Sequence, residues 1–309
     1  MVAMLLSYAV ISPYTPRVPL DLLEVLVHVL CLLDLTLLLF LTVSSFVSRL
    51  ICPIMTTLKI AIHASYMANT YDFYKPNLSS EYPEVDGPVS VVTYVAALDA
   101  AYSVFKEKVA KLSKRAQLAG HSVEKTHDEL FSLEDVDYAI FHSPYGKQAV
   151  KGHARMVFND FINNPNDPRF ANVPDAENLV KISRSSSLTD KNVEKVFVTA
   201  SKSSFSKKTD PAMACSKRLG NMYTASLYGC LASLLSTVDS QALLGKRVSL
   251  FAFGSGCAAS FFTLRVKGDT STLREKMDLT NRLAQMKVVP PQEFVDALLV
   301  CPLFSLSLL

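Results

Sequence analysis

Tyr138-Ala-Ile-Phe141 is a short apolar run that reads as a buried strand, and His142 follows it directly. At that position a rigid backbone would aim an imidazole into a cleft. Pro144 forces a turn, and Lys147 and Lys151 lie four apart at the start of the next helix, so they share a face. Two ammonium groups beside a helix N-terminus suit phosphate oxygens. Further along, Asn221 follows Gly220 ahead of a segment rich in small residues (Ala225, Ser226, Gly229, Ala232), where it is expected to cap a closely packed helix. Gly254-Ser255-Gly256 separates two apolar runs as a tight turn. Each feature has a plainer alternative: a hydrogen-bonded core histidine, a solvated lysine pair, an ordinary cap and an ordinary hairpin. Taken together, a histidine, a capping asparagine and a glycine turn offer hydrogen-bond donors to an oxygen on which negative charge develops.

The elements that must position these groups follow from periodicity. Val91, Tyr94, Val95, Leu98, Tyr102, Phe105, Val109 and Leu112 recur at three- and four-residue spacing, which predicts one helix with an apolar stripe. Lys106, Glu107, Lys108 and Lys111 fall on its far side. After the strand at 138–141, Val150, Ala154, Val157, Phe158 and Phe161 predict a second amphipathic helix, stopped by Asn163 to Pro168. Residues 165–192 are polar and Ser-rich and read as a long surface excursion, followed by a helix from about Asp190 to Phe205. Val248–Phe253 and Ala258–Val266 read as two strands of a hairpin. The class is α/β, without internal repeats.

The chain has 309 residues, half of them hydrophobic, and a formal net charge of +3 with both signs interspersed. That balance argues against a nucleic-acid partner, which would call for a concentrated basic face. Six cysteines (Cys31, Cys52, Cys215, Cys230, Cys257, Cys301) include no C-x-x-C pair, and no His-rich cluster offers metal-ligand spacing, so no metal site is expected. They read as reduced, buried thiols. Residues 1–62 differ in character, being rich in Leu, Val, Ile and Ser. Val25–Val47 approaches the length of a membrane span, about 20 apolar residues. Asp34 near its middle would cost on the order of 3 kcal/mol in lipid. The segment reads as a helical or disordered extension, as a membrane anchor, or as translated non-coding sequence; the apolar tail 299–309 shares its character.

Five stretches occur in order: Tyr71-Asp-Phe-Tyr-Lys-Pro76, Ser80-Glu-Tyr-Pro83 with Val85-Asp-Gly87, Ile140-Phe-His-Ser-Pro-Tyr145, Gly220-Asn-Met-Tyr-Thr224 and Phe253-Gly-Ser-Gly256. This series resembles hydroxymethylglutaryl-CoA synthase over residues 63–298, with 1–62 and 299–309 unmatched. The resemblance implies the C-terminal portion of a thiolase-like, layered α-β-α-β-α fold, incomplete here. The implied activity is condensation of acetyl-CoA with acetoacetyl-CoA, on coenzyme A esters as substrates and with no resident cofactor. It further implies that His142 polarises the acetoacetyl group, that Lys147 and Lys151 contact coenzyme A, that Asp72, Ser90, Asn221 and Ser255 line the acyl site, and that Tyr223 stands beside that asparagine. A cytoplasmic homodimer is implied for the family, with membrane attachment through Val25–Val47 a lesser alternative.

The departures from the family pattern matter more. The acetyl-carrying cysteine of the family lies in an Ala-Cys-Tyr-Gly-Gly segment upstream of the YDFYKP motif, and its general acid/base glutamate lies there too; neither has a match before Tyr71. Cys31 sits among Leu and Val, a setting that raises a thiol pKa, and Cys52 precedes Pro53. Phe253 stands where a tyrosine is expected, and Gly146 replaces a larger residue. Without the nucleophile the acyl-enzyme route is closed. The chain alone is therefore expected not to turn over, and the alternative is a non-catalytic remnant that binds acyl-CoA or a partner chain. A half-fold would also leave an apolar face exposed.

Overall fold

The computed structural model describes residues 58–77, 79, 83–119, 131–293 and 296. Val25–Val47, Cys31, Cys52, Cys301 and the tail 299–309 lie outside the described residues. Contacts divide the chain into two units: one whose described residues run from Leu58 to Leu279, and one that holds those from Thr280 onward. The first carries the sheet and every candidate site residue.

Its centre is a four-stranded mixed sheet in the order β1-β6-β5-β4. Strand β1 is Leu58–Met67, β4 is Tyr138–Phe141, β5 is Arg247–Gly254 and β6 is Ala258–Val266. β2 (Phe73–Tyr74) and β3 (Glu84–Val85) form a separate two-stranded ribbon. β1 and β5 each pair antiparallel to β6, whereas β4 runs parallel to β5. Leu58 to Ile62, assigned from the sequence to a helical or disordered leader, instead begin β1, because β6 offers a pairing edge from Val266 back to Ala258. That partner lies about 200 residues away and leaves no local signal.

Side chains alternate across the strands with period two, and both faces are apolar. Ala139, Phe141, Phe251, Ala259 and Phe261 pack with the stripe of helix α1 (Gly87–Leu118), led by Tyr94, Leu98, Tyr102 and Phe105. Ile140, Val248, Leu250, Leu264 and Val266 pack on the other face against Leu227, Cys230 and Leu234. Those three belong to α7 (Ser226–Thr237). The result is an α-β-α sandwich. By length and composition α1 could cross a membrane. Its apolar stripe is instead spent on the sheet.

Helix α2 (Gly146–Asn163) follows β4, as its spacing predicts. A third core gathers Ala154, Phe158 and Phe161 of α2 with Phe170, Val173, Leu179, Val193 and Phe197. Residues 165–192 are therefore more than a polar excursion. Helix α3 (Ala176–Lys181) lies within them, and Phe170, Val173 and Leu179 are anchors that a Ser-rich composition hides. The helix expected from Asp190 to Phe205 is broken at Ser201, giving α4 (Lys191–Ala200) and α5 (Lys202–Lys208). Ser201, with φ −88° and ψ −2°, is buried and opens the turn there. Asp190 caps α4 by accepting from Asn192 N at 2.7 Å. Short helices α6 (Ala214–Leu219) and α8 (Ser240–Leu243) flank α7. Helix α9 (Ser271–Met277) follows β6.

Candidate active site

Because β4 and β5 run parallel, their carboxyl ends lie side by side, the usual place for ligands in α/β sheets. β4 delivers His142 and β5 delivers Phe253 and the turn Ser255-Gly256-Cys257. The His142 amide donates to Phe251 O at 2.8 Å, which extends the ladder one residue and fixes the direction of the side chain. Its ring lies 6.3 Å from that of Phe253, tilted 35°. Burial in this apolar setting pushes the imidazole down to about 4, so the ring is neutral at pH 7. A neutral imidazole can donate one N–H to a carbonyl oxygen.

Asp72 is fully buried. Its Oδ1 accepts from Thr70 Oγ1 at 2.9 Å and from Gly256 N at 3.0 Å, so it holds the hairpin turn. Its carbonyl accepts from Asp86 N at 2.9 Å, and Asp86 in turn caps α1 through Val89 N. Ser90, half-buried in the first turn of α1, is thereby brought to the same end of the sheet. Backbone bonds from Thr70 N to Gly256 O and between Ala68 and Cys257 complete the seam. Ser255 is exposed at the tip.

Tyr94 is a site residue that sequence reasoning filed as core. Its hydroxyl donates to His142 O at 2.8 Å, and its ring stands edge-on to Phe251 and Phe253 at 5.3 and 5.1 Å. A tyrosine within a helix stripe of aliphatic and Phe residues was the available signal, since a buried hydroxyl needs a partner. Ser226 was missed as well: its Oγ accepts from Ser143 N at 3.0 Å and donates to Ser143 O at 3.3 Å, joining α7 to the residue beside His142. Asp72 Oδ2, Ser143 Oγ and Gln148 Nε2 are buried without a hydrogen-bond partner, while Gln148 Oε1 accepts from Tyr145 OH at 2.8 Å.

Asn221 does not cap α7, which starts five residues later at Ser226. Its Oδ1 accepts from Tyr223 N at 2.8 Å, a local turn that competes with capping. Both residues are exposed, and Tyr223 takes φ +51°. Lys147 is exposed, with no ion pair among the described residues, whereas Lys151 pairs with Glu194 of α4 at 3.1 Å. The two lysines share a face, as their spacing predicts, but only one is free. Phe253 stands edge-on to Tyr94 at 5.1 Å, and an added Cβ at Gly146 would meet nothing within 4 Å.

The described cysteines, Cys215, Cys230 and Cys257, are free and buried. Desolvation raises all three thiols, Cys230 to about 11. None is set up as a nucleophile. No metal-binding cluster of His, Cys, Asp and Glu occurs among the described residues.

The α-β-α unit, with a neutral histidine at a strand end beside a glycine turn, has a thiolase-like fold. The model of the family "Hydroxymethylglutaryl-coenzyme A synthase C terminal" matches residues 57–301, and the chain belongs to that family. A hydroxymethylglutaryl-CoA synthase of Ganoderma lucidum is 52% identical over 82% of the chain and 52% of its own length. One from Mycosarcoma maydis is 47% identical over 76% and 50%. The mitochondrial enzyme of Sus scrofa is 41% identical over 77% and 47%. A solved structure of MvaS in complex with 3-hydroxy-3-methylglutaryl coenzyme A aligns with a TM-score of 0.59 at 27% identity, covering 78% of this chain and 51% of that one. The fold alone is shared with the curacin-pathway HMG synthase, at a TM-score of 0.53 and 16% identity, over 79% of this chain and 48% of that one. The chain thus spans about half the length of the curated relatives it matches.

Proposed function

We propose that this chain carries the acyl-CoA-binding and carbonyl-polarising part of a hydroxymethylglutaryl-CoA synthase, which condenses acetyl-CoA with acetoacetyl-CoA. The reading rests on one observation above all: a neutral His142 imidazole beside the Phe253–Gly256 turn at the joint end of two parallel strands. In the condensation, a carbanion from an acetyl thioester attacks the ketone of acetoacetyl-CoA. The His142 N–H would donate to that ketone oxygen as it becomes an alkoxide. Asp72 holds the turn that carries Ser255, with Ser90, Asn221 and Tyr223 as further contacts. Lys147 and Lys151 would take the phosphates of coenzyme A, Lys151 after leaving Glu194. Coenzyme A esters act here as substrates, and no resident cofactor is invoked.

The acetyl carrier is a different matter. Among the described residues the thiols Cys215, Cys230 and Cys257 are buried and raised, and in the sequence Cys31 and Cys52 lack the family's Ala-Cys-Tyr-Gly-Gly setting, so on this reading the chain by itself binds without turning over. The same reading puts it in the cytoplasm, although its relatives include proteins named as mitochondrial, and fractionation decides. Calorimetry of the purified chain with acetoacetyl-CoA is the test. Binding is expected, weakened about tenfold in a Lys147→Ala, Lys151→Ala double variant. A folded sample that does not bind would reject the acyl-CoA reading. A stable thioester left on the chain by radiolabelled acetyl-CoA would reject the view that it lacks an acetyl carrier.

A further inference from the structure

From Lys217 to Thr224 every side chain is exposed except that of Met222. The hydrogen bonds of Leu219–Thr224 are local ones, Gly220 N to Ser216 O, Tyr223 N to Asn221 Oδ1 and Ala225 N to Met222 O. Gly220 at φ +70° and Tyr223 at φ +51° hold left-handed backbone within this loop. The Met222 thioether turns inward onto α7. An ideal Cβ built on Gly229 would stand 2.8 Å from Met222 Cε and 2.9 Å from its Sδ, closer than any real contact allows. Gly229 itself is buried, and the wall beyond it is Cys215, whose Cβ would lie 3.7 Å away.

We infer that Met222 is a positioning residue: its side chain, seated in a socket that a glycine at 229 leaves open, anchors the loop presenting Asn221 and Tyr223 to the acyl site. This rests on the proposed function for the identity of the ligand, but the anchoring is independent of it. Met222 is the half-buried apolar side chain of the loop among the described residues, so its removal releases the loop without unpacking the sheet. Filling the socket does the same from the other side. A methionine is flexible, so the core around Gly229 tolerates an alanine while the methionine is displaced.

Amide hydrogen exchange and acetoacetyl-CoA calorimetry on the full chain test this together. Met222→Ala and Gly229→Ala are each expected to speed exchange of residues 219–225 by roughly five- to tenfold, the loss of one partly buried side chain. Peptides from α2 and from the β5–β6 hairpin should keep their rates, and affinity should fall by a similar factor. Met222→Leu, close in volume and apolar, should restore both. Unchanged exchange of 219–225 in Met222→Ala and Gly229→Ala overturns the inference, as does failure of Met222→Leu to restore it. Exchange that rises as expected in a chain whose wild type shows no affinity for acetoacetyl-CoA upholds the anchor and rejects the functional reading instead.

Discussion

His153 offers a quantitative test of how α2 is held against α5. The side chain is fully buried, with Nε2 2.7 Å from Ser204 Oγ and Nδ1 2.8 Å from Thr209 Oγ1. Ser204 Oγ already donates to Ser201 O, so it accepts from Nε2–H, and Nδ1 must accept from the Thr209 hydroxyl. Protonation at Nδ1 would force the Thr209 hydroxyl to turn from donor to acceptor and would place a full charge in a site lined by Phe141 and Phe205. Burial, with help from the Lys208 charge, accordingly pushes the imidazole from 6.5 to about 3. Folded His153 thus refuses a proton that the unfolded chain accepts below about pH 6.5, so stability falls as pH drops from there toward 3. Between pH 7 and pH 5 this amounts to about 2 kcal/mol, from a pKa difference of more than three units at 1.36 kcal/mol each, only part of which lies in that window. Urea unfolding of wild type and His153→Gln at the two pH values isolates it. Wild type should lose about 2 kcal/mol more than the variant. Equal losses in both would refute the argument that a neutral, doubly bonded imidazole sits there.

Three other outcomes follow from neighbouring contacts. Asp160 accepts from Tyr102 OH, Lys106 Nζ and Leu133 N at 2.9, 2.6 and 2.7 Å, so Asp160→Asn strands a buried ammonium. It should cost about 3–5 kcal/mol by thermal or urea unfolding, with a Lys106→Met, Asp160→Leu pair recovering most of it. Glu194→Gln frees Lys151 from a partly exposed ion pair and should raise acetoacetyl-CoA affinity by no more than about fivefold in low salt, an effect that calorimetry at high salt should erase. Cys215 and Cys230, buried with raised thiols, should resist iodoacetamide in the native chain at pH 8 and react only on unfolding, as mass spectrometry of the alkylated peptides would record.

What the sequence revealed follows from how local each signal is. The stripe of α1, the strand at Tyr138–Phe141 and the hairpin around Gly254–Gly256 are periodic or punctuated within a dozen residues, and all three are found, although Lys106, expected on the far side of α1, is buried against Asp160 and Leu112 of the stripe is exposed. His142 could be picked out because the strand end that aims it is itself a local feature. The pairing of β1 with β6 could not, since nothing near Leu58 points to Val266. The break at Ser201 depends on ψ at one residue, and the buried anchors Phe170, Val173 and Leu179 were masked by serines around them. Asn221 misled because a short polar residue before a helix fits both a cap and a self-contained turn, and the fold chose the turn. The links that assemble the site, Tyr94 to His142 and Ser226 to Ser143, join residues 48 and 83 apart and become visible only in three dimensions.

The order in which this sheet must be built differs from the order in which it is synthesised. Within the four-stranded sheet only β5 and β6 are chain neighbours, and they come last; β4 waits for residues 142–246, and β1 for almost the whole described chain. The C-terminal hairpin is therefore the template onto which both edge strands dock. A nascent chain that has not yet released it holds two unpaired apolar strands, each a hazard for association with other chains. Products ending before Arg247 should be insoluble however much of the acyl site they encode, and the late emergence of that hairpin should set the pace of folding.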